Sequence, residues 1–273
     1  DRSRGLGDVY KRQFFILAVI YAVMMFFGFL LIKRPADWVY DPATSHVSRA
    51  EILRKPVFWG IWIAFYINIT CGLALISQEK DILHDVLKAF PQYAGLSPAK
   101  FAAAIAGIIG LVLAVDSVFN TAGRVGFSTL SDHLKRRETV YQVIFIMSIA
   151  VCLLQIFTNS INNALLWAVL AMLFLINAGY GGGFSTLPVL LDQHFGTKTV
   201  STTHGLALSA WAFAGLSGNQ LASFVVTHTP DQAHRYAALI PVLTGLFALA
   251  LISISLVKYL GGRNGEGKRS IGA

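Results

Sequence analysis

An acid, an amide and a base recur every four residues at Asp116, Asn120 and Arg124, so a helix would carry all three on one face. Asp116 lies about two turns inside an apolar run ending near Gly123, a depth at which a carboxylate costs roughly 2.5–3.5 kcal/mol in a bilayer. One reading makes Asp116 a proton-coupling or substrate-cavity residue; the other pairs it with a basic group or amide on a neighbouring helix. Ionisable groups buried in membranes mark function by default, which favours the first. Asn68 and Asn177 are further amides inside apolar runs, suited to binding a carboxylate or to bridging helices. His204 and Trp211 stand seven residues apart, hence on one helix face. Histidine beside a cavity shuttles protons near neutral pH, and Trp211 would wall a substrate. His204 also reads as a solvated group at the end of its run.

The elements that position these residues are membrane helices. Hydrophobic residues make up 55% of the 273-residue chain and charged residues 13%, and the mean hydropathy is +0.60. Apolar runs of about 20 residues match a hydrocarbon layer roughly 30 Å thick. Seven occur, at 14–32, 57–77, 99–122, 139–158, 163–187, 202–227 and 236–260. The fold class is therefore an all-α polytopic membrane protein.

If successive loops alternate sides, one side holds fourteen Lys and Arg residues, from Lys33 and Arg34 through Arg124, Lys135, Arg136 and Arg137 to Lys258 and Arg269. The other side holds four, Lys80, Lys88, Lys100 and Arg235. Basic flanks stay cytoplasmic, so the C-terminus is expected inside. The net charge of +8 is then a topology signal, with no further support for a nucleic-acid partner. Cys71 and Cys152 sit inside apolar runs and suggest neither a disulfide frame nor a metal cluster.

Small residues recur every four positions at Ala102, Ala106, Gly110 and Ala114, and again at Ala210, Ala214, Gly218 and Ala222. Such stripes let helix backbones approach closely in lipid. Gly179, Gly181, Gly182 and Gly183 precede Pro188; they either bend the helix or admit close packing. The segment 78–98 is amphipathic through Ile82, Leu83, Val86, Leu87 and Phe90 and reads as a helix extension near the outer interface. Trp59, Trp62 and Tyr66 read as packing or as an interfacial aromatic belt.

Residues 120–137, NTAGRVGFSTLSDHLKRR, resemble the loop between the eighth and ninth helices of major facilitator superfamily transporters. That pattern runs N-x-x-G-R-x-x-W-G-x-L-S-D-x-x-G-R-R, with Ser128 and Lys135 here replacing two glycines and Phe127 the aromatic. The resemblance implies a gating loop of Gly123, Arg124, Asp132, Arg136 and Arg137, with Asp132 expected to cap the following helix. Residues 179–218 resemble the oxalate/formate antiporter branch through Gly181, Gly182, Gly183, Thr186, Pro188, Leu190, Phe195, Gly196, Gly205, Leu206, Ala210, Trp211, Ala214 and Gly215. Some oxalate carriers place a lysine where Trp211 stands, and 202–226 holds no Lys or Arg. This favours a monocarboxylate such as pyruvate, lactate or formate over oxalate.

The resemblance implies the last helix of an N-terminal half (14–32), a cytoplasmic linker (33–56), a six-helix C-terminal half (57–260) and a cytoplasmic tail (261–273). Residues 1–13 read as a translated sequencing adapter, because DVYKRQ back-translates to a transposase end sequence. The expected function is alternating-access transport of a small carboxylate across a bacterial cytoplasmic membrane, coupled to a proton or counter-anion. The expected partners are the lipid bilayer and the absent N-terminal half. A drug or sugar carrier of the same fold and a half-size, non-transporting membrane component are the alternatives. No nucleotide loop, metal cluster or nucleophile–base pair points to an enzyme or a cofactor.

Overall fold

Every regular element in the computed structural model is helical, over the described residues 2–31, 48–158, 163–230 and 236–269. Most of the expected linker therefore lies outside the described residues. The chain divides into two compact units, Asp1–Ser45 and His46–Ala273. The first contains α1 (Arg2–Leu31), whose side chains from Phe14 to Leu31 are apolar all round and largely exposed. A helix without a polar face requires lipid or protein on every side.

The second unit begins with short α2 (Arg49–Arg54) and continues into α3 (Pro56–Lys88). Pro56 opens α3, where a missing N–H costs nothing. Then come α4 (Pro98–His133), α5 (Glu138–Phe157), α6 (Asn163–Phe195), α7 (Val200–Ala207), α8 (Ser209–His228) and α9 (Leu239–Arg269). Six described helices are long and apolar enough to cross a bilayer: α1, α3, α4, α5, α6 and α9. The expected span at 202–227 is instead divided at Leu208, with α8 diluted by Ser, Gly, Asn219 and Gln220.

α4 packs along α6, α3 sits among α6, α8 and α9, and α5 lies against α6 and α9. Phe58, Phe65, Ile69, Tyr141, Phe145, Met172 and Phe247 fill the interior. The exterior is equally apolar: Leu111, Val118, Val125, Trp167, Leu216, Phe224 and Ile252 are all exposed. Spanning helices in lipid satisfy their backbone internally and turn apolar side chains outward, so the unit is a polytopic membrane bundle.

Three sequence expectations change. The motif at 120–137 is mostly not a loop, since α4 runs through His133 and only residues 134–137 lie between α4 and α5. No proline interrupts that stretch, and Leu134 turns to extended backbone only after it. Of the two small-residue stripes, Ala210, Ala214, Gly218 and Ala222 are buried, with Gly218 against the backbone of Thr70. Ala102, Ala106, Gly110 and Ala114 are exposed, because the adjoining row Phe101, Ile105, Ile109 and Val112 faces the core. The glycine run does not unwind α6, which stays helical past Pro188. A Cβ on Gly181 would lie 2.2 Å from the Asn120 carbonyl oxygen, and one on Gly183 would lie 2.2 Å from Asn68 Nδ2. These glycines admit neighbouring helices.

Candidate functional site

The α4–α6 contact brings four of the sequence-derived residues into one hydrogen-bonded row. Gly123 lets α4 approach closely, since a Cβ there would meet the Ala178 carbonyl oxygen at 2.1 Å. Arg124 Nε donates to Asn120 Oδ1 at 3.2 Å. Asn120 Nδ2 donates to Asn177 Oδ1 at 2.9 Å, and Asn177 Nδ2 donates to Asp116 Oδ2. Arginine can only donate, so it fixes the orientation of both amides in turn. The row therefore has one direction, with a cation at one end and a carboxyl at the other. Bonds of this kind polarise one another where water is excluded.

Asp116 is 5% exposed and Asn177 7%, whereas Arg124 is exposed. Arg124 lies 5.5 Å from the centroid of the Phe184 ring. Phe184 in turn meets Tyr180 at 5.3 Å and Trp211 at 5.5 Å, both edge to face. Among the described hydrogen bonds the Arg124 guanidinium uses only Nε, leaving both Nη groups as donors. A planar cation over the Phe184 ring suits a small carboxylate, which takes two parallel N–H bonds from such a fork.

The other candidates have different surroundings. Asn68 on α3 is buried and donates to the Gly179 carbonyl at 3.3 Å, so it bridges helices beneath the glycine run. His204 is half-buried on α7 and Trp211 is exposed on α8, with the division at Leu208 between them. Trp62 stacks on Tyr66, and these donate to Ser209 and Ser217 of α8 at 3.0 and 2.8 Å. They are packing residues.

Of the residues expected to form a gating loop, Gly123 and Arg124 belong to the hydrogen-bonded row, whereas Arg136 joins a knot at the other end of the motif. Glu138, fully buried at the start of α5, takes Arg136 at 3.3 Å, His194 at 2.9 Å and Gln193 at 3.0 Å. Arg136 also donates to the Lys258 carbonyl, and Lys258 Nζ reaches Thr139 and Gln142 at 2.9 and 2.8 Å. Asp132 does not cap α5. It sits in the last turn of α4, with its side chain 70% exposed and 3.7 Å from Arg137. The residue before α5 is Arg137, which makes no side-chain cap bond. Glu138, Gln193, His194 and Lys258 went unassigned because their meeting depends on three helix ends converging. The available signal was a carboxylate beside two arginines at the head of an apolar run.

A second buried acid was also missed. Glu79, 3% exposed on α3, falls in the segment read as an outer helix extension. α3 does continue unbroken to Lys88, with Ile82, Leu83 and Leu87 buried.

Residues 10–219 match the family model described as Major Facilitator Superfamily. The chain belongs to that superfamily. Members of that superfamily are membrane transporters. Among curated proteins, it is 25% identical over 204 residues to an "Oxalate:formate antiporter" from Oxalobacter formigenes, covering 75% of this chain and 43% of that protein. It is also 25% identical over 202 residues to an "Uncharacterized MFS-type transporter YhjX" from Escherichia coli (strain K12), covering 72% and 45%. The superfamily chain thus spans less than half the length of these curated relatives.

Proposed function

We propose that this chain supplies the last helix of the N-terminal half and the whole C-terminal half of a secondary active carrier for small carboxylates. The carrier works by alternating access in a bacterial cytoplasmic membrane, and its substrate is a monocarboxylate such as formate, lactate or pyruvate, with oxalate less well suited. The observation that carries this reading is Arg124, an exposed guanidinium against Phe184, backed by the directed row to Asp116. Similarity to the oxalate:formate antiporter supports the substrate class. Trp211 occupies the aromatic wall with no lysine on the same helix, so this helix adds no second cation to Arg124, which suits a single negative charge. On this reading Arg124 holds substrate and is not only part of a gating loop.

The test is uptake of radiolabelled formate, lactate, pyruvate and oxalate by the complete carrier in proteoliposomes. Charge-assisted hydrogen bonds contribute about 1.5–3 kcal/mol, so Arg124→Gln is expected to weaken carboxylate binding roughly 10- to 100-fold. Arg124→Lys keeps the charge but loses the fork and recovers only part. Unchanged carboxylate affinity in Arg124→Gln sinks the assignment, and transport of neutral sugars or cationic drugs instead sinks the substrate class.

A further inference from the structure

The second unit opens with a short helix that the carrier reading leaves without a task. A single residue, Lys55, separates α2 from Pro56, where α3 begins. Ile52 is fully buried and fixes α2 against the bundle, whereas Arg49, Leu53, Arg54 and Lys55 are exposed. Trp59, in the first turn of α3, donates its indole N–H to the Leu53 carbonyl at 2.8 Å. That bond ties the two helices together at the point where α3 enters the bilayer. Tryptophan, with an apolar body and one N–H, favours the headgroup level, so α2 lies close to that plane.

The cations here belong to one rim. Lys55 Nζ lies 5.7 Å from the ring centroid of Phe195, the last residue of α6. From Phe195 the chain turns through Gly196, whose φ of 83° favours glycine, to exposed Lys198. α7 follows that turn and packs against α2. Among the described residues this rim has one exposed acid, Glu51, which reaches Lys55 at 3.7 Å. The acid of α6, Asp192, keeps its Oδ1 inside the bundle. Arg136 and Lys258, at the same end, are already engaged around Glu138, Thr139 and Gln142. No described ion pair or hydrogen bond holds the side chain of Arg49, Arg54 or Lys198.

A ligand for this rim brings negative charge to the cations and apolar surface to Leu53 and Trp59, which are 39% and 44% exposed. Free phosphate supplies the first and not the second. An anionic phospholipid supplies both, because its phosphate lies at the headgroup plane and its chains begin just below. Basic segments beside a spanning helix are attracted to such lipids, and a guanidinium holds phosphate oxygens through parallel N–H bonds. We propose that α2 and the turn after α6 bind the headgroup of an anionic phospholipid through Arg49, Arg54, Lys55 and Lys198, with Leu53 and Trp59 against its chains. The proposal goes beyond the carrier reading and does not depend on the substrate.

The test offers phosphatidylglycerol or phosphatidylcholine to the complete carrier in detergent and counts bound lipid by native mass spectrometry. The unaltered protein is expected to retain phosphatidylglycerol in preference to phosphatidylcholine. A basic residue near an anionic surface strengthens binding about fivefold, so R49Q/R54Q/K198Q is expected to bind phosphatidylglycerol roughly 100-fold more weakly. R49K/R54K keeps both charges and is expected to retain most of the binding. K80Q/K88Q/K100Q removes as many cations from the opposite end and is expected to leave the preference in place. The thermal midpoint gives a second readout, raised by phosphatidylglycerol in the unaltered protein and not in R49Q/R54Q/K198Q. Equal retention of the two lipids overturns the proposal, and is the result expected if another part of the complete carrier covers the rim. Equal loss in K80Q/K88Q/K100Q overturns it as a general attraction to charge. Displacement of phosphatidylglycerol by inorganic phosphate overturns it in favour of a free anion.

Discussion

Asn177 is the residue through which the two ends of the row communicate. Its amide accepts from Asn120 and donates to Asp116, and neither task survives in a side chain of similar size without polar atoms. Asn177→Leu leaves a buried carboxyl and a half-buried amide unsatisfied, each costing about 1–3 kcal/mol. The expected outcome is a lower thermal unfolding midpoint in detergent together with weaker carboxylate binding. A variant with normal stability and normal affinity would show that Arg124 and Asp116 act independently. The spacing of Asp116, Asn120 and Arg124 was legible in the sequence because helical periodicity is a local property. The role of Asn177 was not, because it depends on the register of α6 against α4. Glu79 was hidden for a different reason. Its neighbours Gln78, Lys80 and Asp81 lower the local hydropathy, so the apolar run ends at 77 and Glu79 falls in an amphipathic stretch that reads as interfacial and not as interior.

The α4–α6 pair shows how elements set that register. Both helices were legible from the length of their apolar runs, but their contact was written in glycines whose purpose the sequence left open. A Cβ at position 123 would press on the Ala178 backbone at 2.1 Å, which no rotamer change relieves. Gly123→Ala is expected to destabilise the bundle by about 1–3 kcal/mol, as overpacking does, and to loosen the Asn120–Asn177 bond. A methyl added at Gly110 on the same helix would meet no neighbouring atom within 4 Å, so Gly110→Ala should stabilise α4 by about 0.5–1 kcal/mol. Thermal midpoints of the two variants in one detergent check the contrast, and equal effects would mean that helix propensity governs instead of contact. Helix ends were less legible. α4 overran its expected limit because nothing at 120–133 breaks a helix, whereas the Leu208 break follows no proline and keeps nearly helical dihedral angles. Gly205 makes no close contact that would have marked that position.

At the scale of the molecule, the second unit is apolar outside and polar at its two ends, and the ends differ in charge. Arg136, Arg137, His194, Lys198 and Lys258 belong to the end where α4 and α6 finish and α5 begins, and all but Lys198 are tied together through Glu138, Gln193 and the Lys258 carbonyl. Lys80, Lys88 and Lys100 belong to the opposite end, near the end of α3 and the start of α4. Basic segments resist translocation, so the knotted end should face the cytoplasm and bring the C-terminus with it. A fluorescent protein fused after Ala273 is then expected to fluoresce, while alkaline phosphatase at the same place stays inactive. Placed after Pro230, between α8 and α9, the two reporters should exchange behaviour, since one helix separates the two positions. The reverse pattern at both positions would turn the bundle over. The same pattern at both positions would mean that α9 does not cross the bilayer, even though its apolar span Leu239–Gly261 is long enough to do so.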